Sequence, residues 1–564
     1  MATTARSGGT SRTAVLVACA VIAAPVVVVA APFAAAAAGP TVVSLTFDDG
    51  NASQMTAVEI MDAHGLDGTF YVPSGFVGES DHLTLADLDA MTAAGHEIGA
   101  HSVTHPDMAL ISAQEAEREA CLGRATLASW GFQVTSFAYP FSSMNEAAKT
   151  AARTCGFNSA RDLGDVETRF GCGGCDAAET IPPADPFELR APALVDATWT
   201  LEDLQSTVTN AEAAGGGWVA LTFHHLCDAC DPAGYSVLPS VFGDFVEWIA
   251  ARSATHGTVV RTVHQVVGGP VAPIVARGFP PPIEPGVNGV VNPGLEDPPG
   301  DGAPDCWTGV GFGSSTWAYD TVSPGRTGKV AGRVVVSDHE DGDAKVVIEM
   351  DLGDCAPTVA PGRRYALGAW YTSDTPTQFS VFLRDATGVW AYWTSSPHFP
   401  ATSEFTEATW DSAPIPRGAT GLSFGLSLLE DGTLITDDHS LHRIEAPPPA
   451  VEPGTPSITG WPAVGSVLTA VPGTWTPATS SLTYRWLRDG RSIDCVGGPI
   501  YRPGPADIGA VLSVRVTGAA FGYEAVSAES SATAPVQPAS GGTPTLSSAY
   551  SSLSWTATDA EACR

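Results

Sequence analysis

Between Thr41 and Val267 the chain alternates short apolar strands with amphipathic helices, and this alternation limits its fold more than any other feature. The strands read as "TVVSLTF", "GTFYV", "HEIGAH", "TSFAYP" and "GWVALTFHH". The helices read as "SQMTAVEIMDAHG", with Gly65 as its stop, "TLADLDAMTAAG", "SAQEAEREACLGRATLASWG", "NEAAKTAARTCG" and "SVFGDFVEWIAARSATHG". Thr84 with Asp87, and Ser112 with Glu115, have capping-box spacing, and Leu85, Leu88 and Met91 share a helix face. Strands that each lead into a helix pair through crossovers, which predicts an α/β fold with a parallel sheet, most simply a (β/α) barrel.

In such a sheet the residues that follow each strand gather on one face, where barrels place their active sites. Here those residues are polar. Asp48 and Asp49 close the first strand. His101 closes "HEIGAH", with His105 four residues on. Tyr139 to Phe141 close "TSFAYPF", and His224 and His225 close "WVALTF". Asp-Asp-Gly taken alone is ordinary turn chemistry; four polar strand ends on one face outweigh that reading. His101 and His105 in "HSVTH" have i, i+4 spacing, so one turn would bring both rings to one side. With a carboxylate they make a two-His, one-carboxylate set suited to zinc or a similar divalent cation, with positions left for water and substrate.

As an ordered set, "TFDDG", "HSVTH", "AYPF" and "LTFH" resemble the polysaccharide deacetylase family, also called NodB-homology domains or carbohydrate esterase family four. The resemblance covers residues 41–267. It implies a distorted (β/α) barrel with fewer than eight strands. It implies removal of acetyl groups from sugars in chitin, chitooligosaccharides, peptidoglycan or acetylated xylan. By the same resemblance Asp48 is the general base, and Asp49, His101 and His105 bind the metal, zinc or alternatively cobalt. His224, in the "LxxH" pattern from Leu221, is the general acid. Leu221 lines the acetyl pocket, Tyr139 lies in the same pocket, and the Phe141 N–H is the oxyanion donor. His225, beside His224, is the alternative acid. The family's third motif usually starts with Arg, paired with an Asp of the fourth; the matching position here is Ala138. Arg161 and Arg190 are the candidates to replace that Arg, with Asp196 as partner.

The rest of the chain divides by composition. Arg6 and Arg12 precede an apolar stretch from Ala14 to about Ala38, which reads as a secretory signal over residues 1–38, with an uncleaved anchor as the alternative. The expected location is therefore extracellular, with cell-wall association a further option and no membrane partner once the signal is cut. Residues 268–289 form a Pro/Gly linker, kept extended by proline. Residues 290–445 read as a β-sandwich, 446–454 as a second linker and 455–537 as a smaller β module. Residues 538–564 form a tail that begins like a repeat and stops. The 564 residues carry 27 basic and 61 acidic side chains, a net charge of -34 that repels nucleic acid and anionic membranes.

The sandwich carries Trp307, Trp317, Tyr319, Trp370, Tyr371, Trp390, Tyr392 and Trp393. Such rings can stack on sugars, although for any single ring a core position is the stronger expectation. "VVNPGLE" and "ITDDHSL" resemble jelly-roll carbohydrate-binding modules, which implies a structural calcium with Glu296 and Asp438 as ligands. "TPSITGWPAVGSVLTAVPGTW" and "YRWLRDGRSI" resemble immunoglobulin-like repeats of secreted bacterial proteins, which implies a spacer or a wall contact. Eleven cysteines occur, and Cys19 falls in the signal. In an exported chain "GCGGC" (Cys172, Cys175) and "LCDAC" (Cys227, Cys230) are expected to form two disulfides between these loops, rather than a zinc knot. Cys121 with Cys155 and Cys306 with Cys355 are further pairs, leaving Cys495 and Cys563.

Three functions follow from these readings. The first is a metal-dependent hydrolase of N-acetyl groups on sugar polymers. The second is an O-acetyl esterase on xylan. The third is a carbohydrate-binding protein on an inactive scaffold, which the complete Asp48, Asp49, His101, His105 and His224 set argues against.

Overall fold

The first strand sets the frame. β1 (Thr41–Phe47) is buried along its whole length, as a strand covered on both faces must be. The structure, a computed structural model, describes residues 39–296, 306–445, 447–478 and 480–539. The expected signal, the C-terminal tail with Cys563 and the side chain of Cys495 lie outside the described residues.

On one side of β1 run β2 (Thr69–Val72), β3 (Glu97–Ala100), β4 (Ser136–Ala138) and β5 (Ser159–Arg161); on the other lies β6 (Gly217–Phe223). All pair in parallel. A minor pair, β7 (His225–Leu226) with β8 (Ser236–Val237), stands apart, and β9 (Val259–Val260) joins the start of β1. The helices are α1 (Met55–Ala63), α2 (Leu85–Ala94), α3 (Ala113–Ser129), α4 (Glu146–Thr154), α5 (Leu201–Ala213), α6 (Pro239–His256) and the short α7 (Val263–Val267). The sheet is an incomplete barrel, because β5 and β6 do not pair. Single residues of the intervening loop cross the gap: Leu189 bridges to Arg161, and Glu179 bridges to Trp218.

The caps follow the sequence with one exception. Thr84 and Asp87 form the expected box on α2, and Gly95 ends that helix at a φ of 116°. Thr200 and Asp203 form the same box on α5, a helix not read from the sequence although the signal was present. On α3 only half the expected box forms. Ser112 accepts from the Glu115 N–H, but the Glu115 carboxylate turns away, to Arg118 and to the backbone N–H of Leu352 in the next module. A carboxylate buried to 1 % exposure takes a cation and an N–H there in place of a solvated cap.

The second module is a sandwich. β10 (Trp307–Phe312), β13 (Asp343–Ile348), β18 (Gly421–Leu428), β15 (Thr377–Arg384) and β16 (Trp390–Ser395) form one sheet, in that order. β11 (Thr316–Val322), β12 (Ala331–Ser337), β19 (Gly432–Ile444), β14 (Arg364–Ser373) and β17 (Thr402–Asp411) form the other. One core lies between them, and it takes Trp307 and Tyr371, while Trp317 and Tyr392 are exposed. Glu296 and Asp438, the expected calcium ligands, spend their oxygens on protein donors: Glu296 accepts from the N–H groups of Lys329 and Val330, and Asp438 from Arg326 and Thr327. A third, smaller set of strands between Ser457 and Glu529 packs around the buried Trp486.

The linker between the first two modules is extended, yet it is fastened along its length. Arg124 of α3 donates to the carbonyls of Ala272 and Pro273, Arg277 pairs with Glu117, Arg384 of the sandwich lies over Phe279, and the Ile283 N–H bonds to Thr358. Arg118 also reaches Asp354 across the junction. Cys121–Cys155 and Cys306–Cys355 form as expected. The two C-x-x-C pairs close within themselves, Cys172–Cys175 and Cys227–Cys230, and not between loops. Their Cα atoms, 5.5 and 5.8 Å apart, already lie in bridging range.

The junction makes a prediction about pH. Burial, then the nearby Asp351 and Glu119, push the Glu115 carboxyl up to about 8 from its ordinary 4.5. The unfolded chain then binds fewer protons than the folded one between these values, so folding loses stability as pH rises from 4.5 to about 8. Thermal unfolding should show this decline, and Glu115→Gln should flatten it.

Candidate active site

β1 and β6 pair residue for residue, from Thr41 opposite Gly217 to Phe47 opposite Phe223. The next residues, Asp48 and His224, therefore leave the sheet side by side, and the Asp48 N–H bonds to the Phe223 carbonyl at 3.0 Å. Asp49 follows at a φ of 72°, which turns its side chain away from that of Asp48. Two adjacent carboxylates thus serve different neighbours.

Asp49 faces the two imidazoles expected beside it. Its Oδ1 lies 3.4 Å from His101 Nε2 and 3.1 Å from His105 Nε2, and the two ring nitrogens are 3.2 Å apart. The spacing of "HSVTH" predicted one helical turn; the segment is instead a loop, with Ser102 at φ 68° and His105 at φ 61°. Its backbone is held from α3. Glu119 accepts from the N–H groups of Val103 and Thr104 and from the Thr104 hydroxyl, and Ser102 Oγ accepts from the His105 N–H. Sidedness comes from these bonds, not from helical geometry.

The donor set fits a divalent cation. His101 Nδ1 lies 2.8 Å from the Ala138 carbonyl, so it carries the proton and leaves the Nε2 lone pair aimed at Asp49 and His105. Three such atoms within 4.8 Å form the cluster that among the described residues matches a metal site. Burial alone would raise the Asp49 carboxyl, but the His101 and His105 imidazoles facing it hold it far below its ordinary value.

Asp48 is 3 % exposed and pairs through Oδ2 with Arg161, itself 2 % exposed. Its Oδ1 is buried and has no partner. Arg161 ends β5 directly opposite Ala138 of β4, so its guanidinium comes from the strand next to the one where the family pattern has Arg. Arg190 lies elsewhere. It bonds to Glu179 and Asp176 and so braces the loop that crosses the barrel gap. Asp196 partners neither arginine; it accepts from Thr198 in a local turn.

His224 Nε2 lies 3.9 Å from Asp49 Oδ2, and the ring stands 5.5 Å from that of Tyr235. Burial lowers its pKa, against the pull of Asp48 and Asp49. Its Nδ1 is buried and without a partner, so no side chain orients the ring through that atom. Its backbone is fixed by residues that were not read from the sequence. The fully buried Gln54 donates through Nε2 to the carbonyls of both Asp48 and His224, and Asn51 donates to His224 as well. The signal was an amide six residues past Asp48, facing inward on the first helical turn. His225 points to Ser53 instead.

The remaining expected residues separate. Phe141, at φ 55° and 68 % exposed, sets its ring edge-on to His105 at 4.6 Å. Tyr139 is buried and donates its hydroxyl to the Phe187 carbonyl, and Leu221 is fully buried in the main core. The cluster predicts about one equivalent of zinc per purified chain. His101→Ala and Asp49→Ala should each retain under about a tenth of it, read by elemental analysis after dialysis.

Comparison with known proteins finds matches over part of the chain. The family model for polysaccharide deacetylase matches residues 35–160. A chitooligosaccharide deacetylase of Sinorhizobium fredii is 31% identical over 83 residues, 14% of this chain and 37% of that protein. A peptidoglycan-N-acetylglucosamine deacetylase of Listeria monocytogenes is 28% identical over 107 residues, 18% of this chain and 22% of that protein. The chain thus spans well under half the length of these curated relatives. Among solved structures, a family 4 carbohydrate esterase from Streptomyces lividans aligns at 17% identity and a TM-score of 0.26, covering 39% of this chain and 90% of its own. Residues 35–160 therefore match the polysaccharide deacetylase family, with Asp48, Asp49, His101 and His105 inside the matched stretch.

Proposed function

We propose that residues 41–267 hydrolyse N-acetyl groups on sugar polymers of the chitin, chitooligosaccharide or peptidoglycan kind. One observation carries this reading: three donors that could hold a metal lie next to a carboxylate with an unpartnered oxygen, Asp48 Oδ1, and to the buried imidazole of His224. The names of the two relatives support an amide on an amino sugar as the bond cleaved.

Asp49, His101 and His105 would hold a divalent cation, zinc by donor type, which when bound supplies Lewis acidity to the acetyl carbonyl and acidifies a water. Asp48 Oδ1 takes the proton from the attacking water. Arg161 occupies the other oxygen and so leaves Oδ1 as the one open to a water. The Phe141 N–H is assigned to the developing oxyanion. His224 Nε2 hands a proton to the departing nitrogen, and Gln54 keeps acid and base at a fixed separation.

Arg6 and Arg12 before the apolar stretch, together with four disulfides, support export of the chain. The sandwich is read as a wall or polymer contact, and its exposed Trp317 and Tyr392 support that reading.

The test is acetate release by residues 39–564 loaded with zinc, on chitooligosaccharide, peptidoglycan and acetylxylan. Release from an N-acetylated substrate should fall at least about a hundredfold in Asp48→Asn, and chelator should abolish it. Release from acetylxylan alone would overturn the amide assignment. A second expectation concerns the guanidinium. Arg161→Ala should lower kcat by about a hundredfold, and adding Ala138→Arg should restore about tenfold of that, because the two positions face each other across β4 and β5. No recovery in a folded double variant would show that Arg161 acts by more than its charge at Asp48.

A further inference from the structure

A cavity of about 1120 Å³ lies between the first module and the sandwich, with His105 of the candidate metal site in its lining. Phe76 and Leu110 line it from the first module, Met350 and Trp390 from the second. It has apolar and aromatic surface, and its charge is of one sign. Glu79 enters from the first module and Glu349 from the sandwich, and among the described residues neither carboxylate makes a hydrogen bond or ion pair. Asp107 and Asp354 also line it, Asp354 paired with Arg118, and among the described residues no Lys or Arg lines the cavity.

Glu115, Glu119 and Asp351 also line the cavity, and burial raises their carboxyls, which favours the uncharged form there; Glu349 is raised by burial and then by Asp351. Arg118 and Arg384 offset part of this charge from outside the lining. A groove with apolar walls and unpaired carboxylates on both sides suits an occupant with flat C–H faces and positive charge.

Deacetylation of an amino sugar makes such an occupant. The amide R–NH–CO–CH3 and water give R–NH3⁺ and acetate: the C–N bond breaks, a C–O bond forms, and the nitrogen leaves as an ammonium. An O-acetyl sugar yields a neutral hydroxyl and gains nothing from the groove. We propose that the interdomain cleft binds the ammonium-bearing, already deacetylated units of the polymer whose next unit sits at the metal ligands. This rests on the N-deacetylase reading above. It makes the cleft a product-side subsite that favours chains carrying free amines beside the acetyl group to be removed.

The test uses the full chain, with calorimetric titration by glucosamine tetramer and by N-acetylglucosamine tetramer near pH 6, and the double variant Glu79→Gln, Glu349→Gln. The amine-bearing tetramer should bind about tenfold more tightly than the neutral one. That advantage should shrink to about twofold in the double variant, and likewise in about 0.5 M salt. Glu349→Lys should reverse it. Equal binding of the two tetramers, or an advantage untouched by the double variant, would overturn the proposal. Acetate release from the neutral tetramer, measured on the same preparations, separates the two readings. Charge-dependent binding without release refutes the deacetylase reading and leaves the cleft in place; release without charge-dependent binding refutes the cleft alone.

Discussion

The pairing of β1 with β6 is the constraint on which the site depends. Seven consecutive register pairs, buried on both faces, bring Asp48 and His224 out of the sheet as neighbours. A slip of one residue would move the side chains of each strand to the opposite buried face, so the register is held by the whole apolar packing of the barrel. Gln54 then ties the two strand ends together through their carbonyls. The positions of the acid and base candidates are set by the sheet.

The second constraint is electrostatic. A carboxylate as buried as that of Asp48 requires a cation, whichever strand delivers it. In this chain β5 does so through Arg161, across the ladder from Ala138. Tyr71 lies under the guanidinium, 5.2 Å from ring centre to Cζ, and completes its enclosure. The cation that Ala138 does not supply from β4 arrives from β5.

Much of this was legible in the residues. Strand ends could be read because a buried parallel strand is an apolar run, and a polar residue after it marks its C-terminal end. That was enough to gather Asp48, Asp49, His101, His105 and His224 on one face. Three kinds of information were not there to read. β5 is three residues long, too short for any period to show. The left-handed turns at Ser102 and His105 depend on Glu119, a partner on a distant helix. Glu115 had the spacing of a capping residue, but its carboxylate was claimed by a module more than 230 residues away. Local patterns gave the elements; competition for buried polar groups, which is non-local, decided the exceptions.

The fastened linker has a consequence for how a polymer can approach. A binding module on a slack tether searches a volume around its enzyme and can settle on a broad, flat surface. Here Arg124, Arg277, Arg384 and Ile283 fix the strap to its two neighbours, so the sandwich behaves as one jaw of a vice whose other jaw carries His105. Whatever reaches His105 from that side must pass between the two modules.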